Sequence, residues 1–165
     1  MRDKSSEGGA MLIEVLLVLV VLGMAFSWAV PEVLRIYKYA AVRYEAEHLM
    51  SELRYQQMVA RTAAQEMAGD GSTAEALTRP RLRMTGKGYL IYRGQEPVRR
   101  YSCLAPVKMQ FYGSTSGSMQ ILNFYANGNV LPNTSIKIFA PGGVSCRLVI
   151  DAAGRFRLER SENGG

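Results

Sequence analysis

Between Ala10 and Val30 lie twenty-one residues that carry a single charge, Glu14. As an α-helix at about 1.5 Å per residue this run is roughly 31 Å long, close to the ~30 Å hydrocarbon core of a bilayer. The chain is therefore either anchored in a membrane or made with a cleaved export signal. Met1 to Gly9 is short and polar, and Arg2 and Lys4 fit the positive-inside rule, which leaves the rest of the chain outside. Ser27, Trp28 and Ala29 loosely resemble a signal cleavage site, but the apolar run exceeds the usual span of about 7 to 15 residues. A plain anchor accounts for the length and leaves Glu14 unexplained. An ionisable group inside a membrane costs on the order of a few kcal/mol and is by default functional.

Past Pro31 the helical period continues. Val42, Ala46, Leu49, Leu53, Ala60, Ala64 and Met67 recur at spacings that mark one apolar helix face, broken by Gln57, while Arg43, Glu47, Arg54 and Arg61 lie off it. His48, beside Glu45, Glu47 and Glu52, reads as part of a solvated face. Proline lacks a backbone donor and is expected to kink the helix at Pro31, and Gly69, Asp70 and Gly71 supply a stop. The spacing predicts one kinked helix from about Ala10 to Ala68, roughly 90 Å long, half in lipid and half laid on a globular domain.

These residues resemble the N-terminus of type IV pilins and type II secretion pseudopilins. The shared pattern is a polar leader ending in Gly, a five-residue stretch ending in Glu, and an apolar helix: here Gly9, then Ala10, Met11, Leu12, Ile13 and Glu14. The resemblance implies cleavage by a prepilin peptidase after Gly9 and methylation of the new amine on Ala10, where family members usually carry Phe. Pro31 stands where pilins commonly place their helix kink. The resemblance further implies a single-pass protein of the cytoplasmic (inner) membrane, its globular domain outside the cytoplasm, that enters a filament with other pilins or pseudopilins. In such a bundle the buried carboxylate of Glu14 needs a cation. The amine of a neighbouring subunit's Ala10 supplies one, and that pairing would set the register of assembly.

After a loop from Gly69 to Arg79 the period changes to two. Strands are expected around Leu82 and Met84, Tyr89 to Arg93, Val98 to Cys103, Val107 to Tyr112, Met119 to Tyr125, Ser135 to Ala140, Ser145 to Ile150 and Arg155 to Glu159. Asn127–Gly128 and Asp151 to Gly154 are turn signals, and Gly113 to Gly117 reads as a loop. The fold class is α+β: a long kinked N-terminal helix packed on a C-terminal antiparallel β-sheet domain. The organisation is a leader (1–9), a membrane and filament-core helix (10–30), an amphipathic continuation (31–68) and a β-rich domain (69–165). The closing run of NG turn, strands, Pro, Gly and a final Gly154–Arg155 is similar to the GspH/FimT group of minor pilins and pseudopilins, and to competence pseudopilins of the ComGD type.

Charge narrows the function. One His and two Cys leave little from which to build a metal centre, and no P-loop or nucleophile elbow is present, so neither an enzyme nor a cofactor is expected. From Ala76 to Arg157 twelve basic residues face only Glu96 and Asp151, an excess of ten positive charges that suits a polyanion. Gly154, Arg155, Phe156 and Arg157 resemble the GRxR motif of FimT-like competence minor pilins, which implies contact with incoming DNA. Arg155 and Arg157 reach phosphates from one side of an extended segment, Arg160 follows, and Phe156 stacks on a base if exposed. Cys103 and Cys146 would both lie outside the cytoplasm, where a disulfide or two unpaired core thiols are equally allowed. Three functions remain open: a minor pilin that takes up DNA in natural transformation, a structural pseudopilin of a type II secretion filament, and a membrane-anchored binding domain unrelated to filaments.

Overall fold

The computed structural model describes residues 5–66, 79–112, 121–151 and 153–160. The stop at Gly69 to Gly71 and the loop at Gly113 to Gly117 lie outside them. The chain forms two compact units, Met1–Tyr37 and Lys38–Gly165, and helix α1 (Ser5–Glu66) contributes to both. It begins five residues ahead of Ala10 and runs through Pro31 without interruption. In the first unit the large apolar side chains from Met11 to Ile36 all face outward, Trp28 being 85 % exposed. The most apolar stretch of the helix has a mean hydropathy of 2.4 and none of it is buried within the protein. An apolar surface of this extent requires cover by lipid or by other helices.

The second unit takes the rest of α1 and folds two antiparallel sheets over it. The strands are β1 (Pro80–Met84), β2 (Gly88–Arg93), β3 (Glu96–Ser102), β4 (Lys108–Phe111), β5 (Ile121–Phe124), β6 (Val130–Leu131), β7 (Thr134–Phe139), β8 (Ser145–Ile150) and β9 (Phe156–Arg160). One sheet runs β3-β2-β1-β5-β6, the other β4-β7-β8-β9. Alternation sends Leu82, Ile91 and Leu122 inward from the first, and Ile136, Ile138, Leu148 and Ile150 from the second, to meet Val42, Ala46, Leu49, Leu53 and Ala60 of the helix. The expected strands stand within a few residues of their places. The two-residue β6 is too short to leave a period-two signature.

The buried helix face is more polar than its apolar stripe implies. Glu45, Glu52 and Gln56 are buried on it. His48 is not on a solvated face either: its ring stacks on Tyr101 at 4.3 Å between centroids, and its Nδ1 lies 3.2 Å from the Tyr89 hydroxyl. Residues three or four apart share a helix face, so positions 45, 48, 52 and 56 follow Val42, Leu49 and Leu53 inward regardless of their chemistry.

Candidate functional site

The C-terminal turn is built from a glycine outward. Between β8 and β9 the Asp151 amide donates to the Arg155 carbonyl (3.0 Å) and the Gly154 amide to the Asp151 carbonyl (2.9 Å). Gly154 has φ +72°, a region that side chains avoid. Its neighbour is the Asn127–Gly128 turn of β5 and β6. The Gln57 amide donates to the carbonyls of Gly128 (2.5 Å) and Gly154 (2.9 Å), so one side chain of α1 ties down a turn from each sheet. The break in the apolar stripe is thus the anchor of the motif.

From that fixed point, alternation sends Arg155 and Arg157 outward and Phe156 and Leu158 inward. Phe156 pairs with Ile150 and packs against the core, so the expected stacking of a base on Phe156 does not fit. Arg157 is 73 % exposed and donates to Glu159 Oε1 at 2.7 Å, and an exposed pair of this kind holds only weakly, about 0–1 kcal/mol. Arg160 closes β9 opposite Cys146.

In the first unit Gly9 and Ala10 are helical in backbone. Glu14 follows Ala10 by one turn, is exposed, and makes no ion pair with a described residue.

A buried polar row joins α1 to β3 and the segment after it. Glu45 Oε1 accepts from the Leu104 amide (2.7 Å) and the Tyr101 hydroxyl (3.2 Å), while its Oε2 is buried with no partner among the described residues. Glu52 accepts from Arg99 Nη1 at 3.3 Å and from Gln56 at 2.8 Å. Burial first, then the nearby carboxylate, pushes the Tyr101 and Tyr89 hydroxyls above their ordinary range. A polar group on a buried helix face needs partners such as these. Their helical period is the signal in the sequence that reveals them.

Cys103 and Cys146 are both free thiols. Cys103 follows β3 of the five-stranded sheet, whereas Cys146 lies in β8 of the other and borders a cavity of ≈ 250 Å³ between Val42 and Ala46 of α1 and Val144 and Leu158. Burial, aided by Glu45, pushes the Cys103 thiol up to about 12, and burial raises Cys146 as well. In the unfolded chain these thiols lose their protons near pH 8.5. The unfolded state thus releases protons first, and stability, full below about pH 8.5, declines as the pH rises toward 12. In mild detergent the urea midpoint should hold steady between about pH 7 and 8 and fall from about pH 9. Native Cys103, half-buried and held protonated, should react with iodoacetamide more slowly than in urea at the same pH. Alkylation as rapid in the native protein as in urea would contradict the raised pKa.

No protein-family model matches the sequence, and no curated protein does. Among solved structures, the chain is similar to the minor pseudopilin EpsH of the type 2 secretion system of Vibrio cholerae, with a TM-score of 0.52 and 14% identity over 74% of this chain and 99% of that one. Another similar structure is the type IV minor pilin FimU of Pseudomonas aeruginosa, with a TM-score of 0.49 and 21% identity over 72% of this chain and 93% of that one. The class is therefore α+β, one long N-terminal helix with an antiparallel β-sheet domain. Its fold is shared with the minor pseudopilin EpsH, in agreement with the pilin-like fold that the resemblance implies.

Proposed function

We propose that this chain is a minor pilin or pseudopilin, anchored in the inner membrane and then drawn into a type IV pilus-like filament with other pilins or pseudopilins. The observation that carries this reading is an outward-facing apolar helix with one carboxylate, Glu14, on a chain whose fold is that of a minor pseudopilin. An apolar helix serves twice in such a protein. Lipid covers it before assembly and neighbouring helices cover it afterwards.

Prepilin peptidase is the partner that separates these states, cutting between Gly9 and Ala10. Co-expression with such a peptidase should yield a protein that intact-mass measurement finds shorter by the residues Met1 to Gly9 and heavier by one methyl group. An uncut chain, or one cut near Ala29, would overturn the filament reading.

Contact with extracellular DNA during uptake is the second reading, favoured by two exposed arginines, Arg155 at the end of a fixed turn and Arg157 in β9. Against it stands the structural pseudopilin of a secretion filament, for which the same arginines are solvated surface.

A further inference from the structure

We infer that the outward face of the four-stranded sheet, continuous with the Gly154–Arg157 turn, is a track for a single strand of nucleic acid. This rests on the DNA-contact reading of Arg155 and Arg157 and enlarges it from a turn to a surface. In antiparallel sheets residues directly opposite share a face, so the register lays out that face as a grid. Lys108 of β4 stands opposite Phe139 of β7. In the next row Gln110, Lys137, Arg147 and Glu159 follow one another across all four strands, and in the row after that come Ser135, Val149 and Arg157. Arg155 lies one row further, across from Asp151.

The cations Lys108, Lys137, Arg147, Arg157 and Arg155 thus step diagonally from one edge of the sheet to the other. With strands about 4.8 Å apart and alternate residues about 6.7 Å apart, the diagonal is roughly 25 Å long. Aromatic rings border it. Lys137 Nζ lies 5.8 Å from the centre of Phe139, and the Arg147 guanidinium lies 4.4 Å from the centre of Tyr112. Arg147 is oriented further by donating from Nε to Ser135 Oγ at 3.0 Å. Tyr112 is held by its amide on the Ser135 carbonyl (2.7 Å) and is 59 % exposed.

Lys108, Lys137 and Arg147 have no acidic partner among the described residues, and the acids bordering the diagonal are Glu159, engaged by Arg157, and Asp151. Repeated cations interleaved with flat rings suit a chain of phosphates and bases, because bases stack on aromatic and guanidinium planes. A duplex groove admits a helix or a narrow ribbon, not the flat face of a four-stranded sheet. An anionic bilayer is served by exposed aliphatic side chains beside the cations, and on this face the exposed large apolar residue is Tyr112.

The test uses the full chain in neutral detergent with a labelled oligothymidine over a series of salt concentrations. The triple change Lys108→Gln, Lys137→Gln and Arg147→Gln should weaken binding at least about tenfold and flatten the log–log salt slope by about 2, at about 0.7 per contact for single strands. Arg83→Gln with Arg100→Gln, on the outward face of the other sheet, should leave affinity within about twofold. Tyr112→Ala should reduce affinity for oligothymidine more than for a heparin fragment. If the triple variant binds like the parent while Arg155→Gln with Arg157→Gln weakens binding, the sheet face carries nothing and the turn alone is the site. A parent that binds neither oligothymidine nor a matched duplex at low salt removes the DNA reading and the track together, whereas one that binds the duplex alone removes only the track. Equal losses in the control pair, tighter binding of a matched duplex, or a Tyr112→Ala loss equal for both probes would each overturn the single-strand track.

Discussion

Gly154→Ala is expected to destabilise the second unit by about 3–5 kcal/mol, a large effect for the addition of one methyl group. Two terms contribute. At φ +72° a non-glycine residue costs about 1–3 kcal/mol in backbone strain. The remainder comes from contact, because a Cβ at this position would fall on the Gly128 carbonyl oxygen and on Gln57 Nε2. Backbone cannot swing aside as a side chain can, so the turn must move and the two hydrogen bonds from Gln57 weaken, at about 1 kcal/mol each.

Gly143→Ala is the control. Gly143 has φ +88° and open space to 4 Å around the point where an alanine Cβ would stand, so it isolates the strain. Thermal unfolding of the two variants should separate by roughly 5–15 °C, with Gly154→Ala the lower. Equal midpoints would show that the Gln57 anchor is not what requires glycine. Because Arg155 begins one residue later, Gly154→Ala should also disturb the presentation of the outward arginines, whereas Gly143→Ala should not.

Much of this fold is legible in the chain. The turn residues Asn127–Gly128 and Gly154 are dictated by backbone sterics, which act locally and leave a mark in the sequence. The alternation of Leu82, Ile91, Ile136 and Leu148 marks a half-buried strand wherever its partner is. The contacts of Gln57 are not legible, since its two carbonyl partners are distant in sequence and any polar side chain at a stripe position looks like an interruption. Glu45 and His48 mislead for a related reason: residue chemistry suggests solvent, while their spacing from Val42 and Leu49 places them on the inward face. Phe156 takes its expected role from the motif around it, although its neighbours Arg155 and Arg157 being outward forces it inward. Where period and residue type disagree, the period decides burial, and hydrogen bonds from β3 and from Leu104 make that burial tolerable.

Glu14→Val should leave membrane insertion intact or improved and reduce incorporation into filaments by on the order of a hundredfold. The two effects have opposite signs for one reason, the charge. Removing an acid from within the apolar run relieves a penalty of at most about 2.5–3.5 kcal/mol, the cost at the centre of a span, so the amount of protein in the membrane should not fall. In the filament proposed above, helices would come together in an open, head-to-tail array, and the amine of one subunit's Ala10 would become buried beside the next subunit. Without the carboxylate that amine would have no partner, and breaking a buried pair on one side costs about 3–5 kcal/mol, or roughly two to three and a half powers of ten. A variant that was merely misfolded would lose both membrane content and incorporation, so measuring the two in parallel, by fractionation and by blotting of sheared filaments, tells these cases apart. Glu14→Gln separates charge from hydrogen bonding: it keeps the shape and a carbonyl acceptor, and if charge is what matters it should behave like Val. Parental incorporation of Glu14→Val would mean that the carboxylate plays no part in register, and the single charge in the apolar run would need another explanation.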